Sequence, residues 1–425
     1  MLSVGLISLG CKVNTYETEY LTSILKNKGY IIKDFDDICD IYIINTCTVT
    51  NTADTKSGKT IRRAKKRNPK AIIVALGCFI ESHKEENFPG IDIVVGTKDK
   101  RKVPVLLEEF IAKKKQIISL YKDVPSDFED MYIEEFPGRT RAFVKIQDGC
   151  ENFCSYCIIP FVRGKCSSKE RNLVLKEITT LVNNGYYEIV LTGIHTGNYG
   201  KDLGITFAEL LKDIVKINGL KRLRISSIEM NELTEEVLDI IKNNKVIVDH
   251  LHIPLQAGSD EILKLMNRKY NLAEFEAKIK EIRSIRKDIS ITTDIIVGFP
   301  KETDELFKET LETCKRINFS KIHVFPYSER KGTKASEMTD KVDQSTKKER
   351  ARVLLQLSKE LEINYFKKFI GKELEVLIET TKEGFSYGHT SNYLNVKIPS
   401  EIESNKFVNV KIKDIDYPNV IGEII

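Results

Sequence analysis

Short apolar runs that alternate with helical patterns constrain this chain more than any other feature. Val4–Leu9, Ile41–Asn45, Ala71–Leu76 and Ile91–Val95 read as strands, and Tyr16–Lys28, Thr52–Arg67 and Pro104–Lys113 read as the helices among them. Such alternation gives a parallel, open α/β sheet. The rhythm breaks after residue 113, where acidic Asp123-Val124-Pro125-Ser126-Asp127-Phe128-Glu129-Asp130 and then Phe136-Pro137-Gly138 read as a linker. It resumes with Phe143–Gln147, Glu188–Thr192, Arg222–Ser226, His250–Ile253, Thr292–Val297 and Ile322–Pro326 as strands. Leu173–Asn184, Phe207–Ile217, Thr234–Asn243, Ala273–Arg286 and Glu305–Ile317 are the intervening helices. Six βα units form a partial barrel or a large open sheet, and either one gathers its site at the carboxyl ends of its strands.

Residues 344–369 carry Val353, Leu354, Leu357, Leu361 and Tyr365 at helical spacing, and residues 371–425 show only short β patterns, as in a small β-barrel. At roughly 150 residues per domain, 425 residues suggest about three domains. The expected boundaries are an N-terminal domain over 1–113, a linker over 114–135, a central domain over 136–367 and a barrel over 370–425. With 41% hydrophobic and 30% charged residues, the composition excludes a disordered or fibrous chain. No apolar run approaches the ~18 residues of a membrane span. The first residues lack a basic leader region and read as a strand, so the expectation is a cytoplasmic protein with no membrane partner.

Nine cysteines in a reducing compartment do not make a disulfide framework, and an odd number resists full pairing. Cys150, Cys154 and Cys157 form C-x₃-C-x₂-C directly after the first strand of the central domain. Soft thiolates on one loop chelate iron or zinc. A four-iron cluster takes four cysteines, so three leave one iron open. The competing reading is a zinc site closed by Cys166. Cys11, Cys47 and Cys78 are remote in sequence, yet each directly follows a predicted strand of the N-terminal sheet. Neighbouring strand ends converge on one crevice, so these thiols can meet without a local motif; the alternative is three unrelated buried cysteines. Cys39 and Cys314 read as packing residues, and Cys166 as a surface position.

This arrangement resembles the radical S-adenosylmethionine superfamily. With the three-cysteine N-terminal domain and a C-terminal barrel of the TRAM type, it is similar to the methylthiotransferases over essentially the whole chain. Gly10-Cys11-Lys12-Val13-Asn14-Thr15-Tyr16-Glu17 and Asn45-Thr46-Cys47-Thr48-Val49-Thr50 look like the threonylcarbamoyladenosine tRNA branch. His252-Ile253-Pro254-Leu255-Gln256-Ala257-Gly258-Ser259 and Val297-Gly298-Phe299-Pro300 match blocks common to the family. The resemblance implies that Cys150, Cys154 and Cys157 hold a 4Fe–4S cluster that chelates S-adenosylmethionine. It implies that Cys11, Cys47 and Cys78 hold an auxiliary 4Fe–4S cluster serving in sulfur delivery. The implied reaction puts a methylthio group on carbon 2 of an adenine beside the anticodon, at position 37. It draws on a second S-adenosylmethionine and on a low-potential electron donor. That carbon–hydrogen bond is not acidic, so radical chemistry rather than a general base is required.

By the same resemblance Thr192 and Gly193, at the second barrel strand end, contact the amino group of S-adenosylmethionine; a plain βα turn is the other reading of Gly193. Ser226, Ser227 and Glu229 either face the cofactor or serve as a helix cap and a solvated charge. His195, His250, His252 and His323 read as core or rim residues. Two features depart from the family. Lys165-Cys166-Ser167-Ser168-Lys169 is poorer in Arg and Ser than usual, and residues 371–425 hold six Lys against nine Asp and Glu.

The whole chain carries only +5, too little to identify a nucleic-acid binder. Residues 51–70, however, hold Lys56, Lys59, Arg62, Arg63, Lys65, Lys66, Arg67 and Lys70 against Asp54 alone. A basic helix that begins beside a cluster ligand can hold the phosphates of a tRNA anticodon stem-loop; a solvated helix face is the simpler alternative. Two further functions stand beside the tRNA enzyme: a methylthiotransferase acting on an aspartate of a ribosomal protein, and a non-catalytic, metal-dependent RNA-binding protein.

Overall fold

The computed structural model describes all of residues 1–425. The N-terminal sheet is six-stranded and wholly parallel, in the order Ile31–Lys33, Ser3–Ser8, Ile41–Thr46, Ile72–Gly77, Ile93–Val95, Ile117–Ser119. Its central strands Ile41–Thr46 and Ile72–Gly77 are buried at every residue, because helices cover both faces. Leu21 and Leu25 of helix Lys12–Asn27 and Leu107 of helix Val103–Lys113 pack on one face. Ile61 and Ala64 of helix Asn51–Arg67 pack on the other.

The chain order reverses between Ser3–Ser8 and Ile41–Thr46, which opens a crevice at the carboxyl ends of those strands. Two edge strands escape the sequence pattern. Ile31–Lys33 and Ile117–Ser119 are three residues each and partly exposed, too short to show a period. The second lies inside the expected linker and pairs with Ile93–Val95, so the N-terminal sheet runs past residue 113.

The central domain is a partial barrel built as two parallel three-stranded sheets. One comprises Arg141–Lys145, Glu188–Thr192 and Arg222–Ile225; the other comprises His250–His252, Ser290–Val297 and Lys321–Pro326. They meet at the bridge from Leu223 to Ile247, just ahead of His250–His252, and where Ile228 N donates to His252 O at 3.1 Å. Alternation along each strand sends one set of side chains to the helices and the other to the concave interior. Leu223 and Ile225 thus enter the main apolar core, while Arg222 and Arg224 face inward.

Helix Gln344–Lys367 connects this domain to the next without a break. Its Leu354, Leu357 and Leu361 belong to the central core, and its Tyr365 and Phe366 to the core of the C-terminal module. That module is a closed five-stranded barrel of Glu373–Lys382, Phe385–Thr390, Asn395–Ile398, Phe407–Asp416 and Asn419–Ile424. It straddles the seam between the two central sheets. Arg222 on one side donates to the carbonyls of His389 and Glu375, each at 2.8 Å. Asp249 on the other side donates its N–H to Ser391 Oγ at 2.9 Å.

Candidate active site between two cysteine triads

Cys11, Cys47 and Cys78 follow the adjacent strands Ser3–Ser8, Ile41–Thr46 and Ile72–Gly77 and meet in the crevice. Gly10 allows the approach. Its φ is +125°, and a Cβ there would fall 2.9 Å from Cys47 Sγ. Burial pushes the Cys47 thiol up, and Cys11 adds to the effect. Burial pushes Cys78 up to about 11, with Arg163 opposing and Cys11 and Cys47 adding. Buried Asn14 organises the crevice: its Nδ2 donates to Thr46 O at 2.9 Å and to Asn45 Oδ1 at 3.1 Å. Its Oδ1 accepts from Cys11 Sγ at 3.2 Å and from Arg163 Nη2 at 3.0 Å.

Arg163 belongs to the central domain yet completes the N-terminal triad. Its Nε donates to Cys78 Sγ at 3.2 Å, and its Nη1 reaches Glu17 at 3.1 Å and Asp148 at 3.0 Å. Lys100 and Lys145 each lie 3.0 Å from Glu17, and Lys145 lies 2.6 Å from Asp148. Burial favours the neutral acids, but Arg163 and then the lysines hold Glu17 and Asp148 far below the usual carboxylate range. Three cations face two carboxylates, and the unbalanced positive charge lies against Cys78. A closed buried network of this kind also fixes the N-terminal domain on the barrel.

Cys150, Cys154 and Cys157 lie on a loop whose ends are tied together. Gln147–Asp148 pairs with Ser167–Ser168, and Cys150 N donates to Gly164 O at 3.1 Å. Gly149, at φ +72°, would place a Cβ 1.9 Å from Lys165 O, so no larger residue fits. Burial pushes Cys157 up to about 12, and Cys154 and Cys150 add to it. Arg268 Nη1 lies 3.4 Å from Cys154 Sγ and pairs with Glu229. His195 Nδ1 lies 3.7 Å from Cys150 Sγ. Although burial disfavours its charge, bonds to Cys150, Cys166 and Glu232 push His195 up to about 12.

Thr192 is buried at its strand end, and a side chain at Gly193 would press on Gln147 at 3.1 Å. Gly193 therefore lets two strand ends approach. Glu229 stands at the N-terminus of the short helical turn Met230–Glu232 and pairs with Arg268. Ser226 Oγ lies 3.5 Å from Thr196 Oγ1. Cys39 and Cys314 are buried packing residues. Cys166 is half-buried rather than on the surface, with its Sγ 3.8 Å from Gly149 O and from Asn198 Nδ2. His252 accompanies Asp294 at 3.3 Å in the barrel wall.

Sulfur spacing separates the two metal readings. Thiolates at ~2.3 Å around a single tetrahedral zinc lie only about 3.8 Å apart. In this chain the only three His, Cys, Asp or Glu side chains with donor atoms all within 4.8 Å of one another are His252, Asp294 and His323. In each cysteine triad at least one pair of sulfurs is therefore more than 4.8 Å apart, wider than a single tetrahedral zinc requires.

Sequence reasoning did not find Arg163, Arg268 or Asn14, and it gave His195 no role. Arg163, Arg268 and His195 meet their thiols across long sequence separations, whereas Asn14, three residues from Cys11 and inside the motif Gly10–Glu17, is the one a local signal could have found. The basic helix begins just beyond Cys47. Asp54 in its first turn pairs with Arg330 at 2.6 Å, which fastens the helix to the barrel. Arg63 and Arg67 share Asp36, whereas Lys56, Lys59, Arg62 and Lys66 are exposed and form no ion pair. No helix is long and apolar enough to cross a membrane.

Residues 144–314 match the Radical SAM superfamily, and residues 3–96 match the uncharacterized protein family UPF0004. A threonylcarbamoyladenosine tRNA methylthiotransferase of Bacillus subtilis is 42% identical over 100% of this chain and 97% of its own. A protein of the same description from Thermotoga maritima is 39% identical over 99% and 97%. A tRNA-2-methylthio-N(6)-dimethylallyladenosine synthase of Carboxydothermus hydrogenoformans is 36% identical over 97% of both chains. Among solved structures, the radical S-adenosylmethionine methyltransferase TsrM of Kitasatospora setae superposes with a TM-score of 0.55 at 14% identity. That match covers 76% of this chain and 73% of the other, and it speaks for the fold alone.

Proposed function

Because the chain belongs to the methylthiotransferase family of radical S-adenosylmethionine proteins, we propose that the two cysteine triads are its cluster ligands, each set serving a different part of one reaction. The protein is a threonylcarbamoyladenosine tRNA methylthiotransferase that uses two 4Fe–4S clusters and S-adenosylmethionine. In this reading Cys150, Cys154 and Cys157 hold the cluster that binds S-adenosylmethionine, with Thr192 and Gly193 at its amino group. Cys11, Cys47 and Cys78 hold the auxiliary cluster. The contact that carries the assignment is Arg163, which follows the Cys150–Cys157 loop in the chain and donates to Cys78 of the other triad. When bound, these groups supply the one-electron chemistry that an unactivated carbon–hydrogen bond requires.

The chain itself binds, orients and excludes water. Arg163 and Arg268 set positive charge against Cys78 and Cys154, which favours the thiolate forms that ligate metal. The buried network around Glu17 holds the two triads at one spacing. The unpaired cations of helix Asn51–Arg67 meet RNA phosphates, while the target base leaves its stack to enter the crevice. Phe153 and Phe161, both exposed and 6.0 Å apart in an edge-to-face pair beside the cluster loop, offer apolar faces to unstacked bases. A tRNA substrate places the reaction in the cytoplasm, with a low-potential electron donor as partner.

The names of the relatives favour this reading over a ribosomal-protein substrate and over a non-catalytic RNA-binding protein. The deciding experiment is mass spectrometry of tRNA nucleosides from cells lacking the protein. Loss of the 2-methylthio derivative with accumulation of N6-threonylcarbamoyladenosine is expected. An unchanged nucleoside profile overturns the assignment.

A further inference from the structure

The concave face of the barrel holds a cluster of cations that neither triad uses. Arg224 projects into it and is 2% exposed. Its Nε donates to Glu188 Oε1 at 2.8 Å, but its Nη1 and Nη2 are buried with no hydrogen-bond partner. His250 Nδ1, on the neighbouring wall, also has no hydrogen-bond partner, while Glu188 Oε2 lies 3.8 Å from Arg222 Nη1. Buried polar groups without partners are costly, and a guanidinium left with two of them marks a place suited to a polar ligand.

Tyr393 reaches this point from the C-terminal barrel. The Arg224 guanidinium lies 4.5 Å from the centre of its ring, and the His250 ring stacks on it at 4.8 Å. Arg141 Nη1 donates to its hydroxyl at 3.4 Å. The backbone of Tyr393 has a φ of +67°, which a bulky residue rarely adopts. Strain of this kind persists where the surrounding structure enforces a functional position. The residue is 37% exposed, and the His389 ring stacks on it as well, at 4.8 Å.

Lys12, next to Cys11, completes the group. It is exposed, and its charged and polar neighbours are Tyr393, Arg224, Arg141 and Cys11. It forms no ion pair. Arg141 pairs with Glu379, Arg222 with Glu375 and Arg224 with Glu188, so Lys12 is the cation left over.

A surplus cation, a tyrosine hydroxyl and a buried guanidinium suit a carboxylate. The threonylcarbamoyl group bears a free carboxylate, whereas the dimethylallyl group named for other relatives is apolar. We propose that Lys12 and Tyr393, backed by Arg224, form the subsite that receives the carboxylate of the threonylcarbamoyl group; this rests on the function inferred above. The reach agrees. Arg224 pairs in register with Val190, two residues before the strand end at Thr192, which is about 7 Å deeper in the barrel. The carbamoyl-threonine arm is as long as one to two extended residues, about 5–7 Å.

The test uses reconstituted enzyme and two anticodon stem-loop RNAs, one bearing the natural threonylcarbamoyl carboxylate and the other its methyl ester. Wild-type enzyme is expected to prefer the carboxylate in kcat/KM by about tenfold or more. Lys12→Gln and Arg224→Gln each lower that preference to about threefold or less. Because both RNAs meet the same preparation, general losses of activity or folding cancel in the ratio. If Arg224→Gln fails to fold, Lys12→Gln, at an exposed position, carries the result. A preference that stays within twofold of wild type in the folded variants overturns the subsite and leaves the function standing. Wild-type enzyme inactive on the threonylcarbamoyl RNA overturns both.

Discussion

Replacing Arg163 with Met probes the joint between the two triads. The guanidinium makes contacts with Glu17, Asp148, Asn14 and Cys78, all at 3.0 to 3.2 Å. Without it, two carboxylates face Lys100 and Lys145 in formal balance, but Asp148 loses its forked partner and Cys78 its only cationic contact. Removing one member of a buried ion pair costs about 3–5 kcal/mol. In a cooperative unit of 150–250 residues each kcal/mol lowers Tm by about 2–4 °C. Metal-free Arg163→Met is therefore expected to unfold about 6–20 °C below wild type by circular dichroism. Arg163→Lys, which keeps the charge and loses the fork, should lie between them. After reconstitution, Arg163→Met should hold closer to four irons than to about eight, since the N-terminal triad loses its counter-charge. A variant that melts within about 1 °C of wild type would refute the view that this network joins the domains.

Three further outcomes follow from the same geometry. Cys154→Ala should abolish cleavage of S-adenosylmethionine, whereas Cys47→Ala should abolish thiolation yet retain some cleavage, as read by chromatography of the nucleoside products. Reversing Lys59, Arg62 and Lys66 to Glu should weaken binding of the stem-loop and reduce the slope of log K against log salt by about 2–3, measured by fluorescence titration. Glu17 has a lowered pKa in the fold, so its stabilisation is complete above the unfolded carboxylate value and vanishes as pH falls through the folded one. The difference in stability between wild type and Glu17→Gln should then hold from neutral pH to about pH 4 and shrink below it in denaturant titrations.

The six strands of the barrel and the cysteines at strand ends were legible because each rests on a local pattern. An apolar run followed by a cysteine occurs three times in the first eighty residues, and the fold turns that repetition into proximity. Edge strands such as Ile117–Ser119 were illegible because three half-exposed residues carry no period. Arg163, His195 and Arg268 act through tertiary approach, and nothing in their neighbours announces which thiol each will meet. The acidic balance of residues 371–425 looked wrong for an RNA-binding module. The fold explains part of it: Glu375 and Glu379 pair with Arg222 and Arg141 of the central domain.

The way the C-terminal barrel spans the seam bears on how such a protein can be altered. The two halves of the central domain meet through backbone contacts at Leu223 and Ile228, and the C-terminal barrel grips Arg222 on one side and Asp249 on the other. Helix Gln344–Lys367 runs from one core into the next. The last fifty residues are thus no cassette to be exchanged between relatives. A chimaera made by swapping them loses the matched contacts at Arg222 and Asp249, so changes on either side of the seam have to arise together.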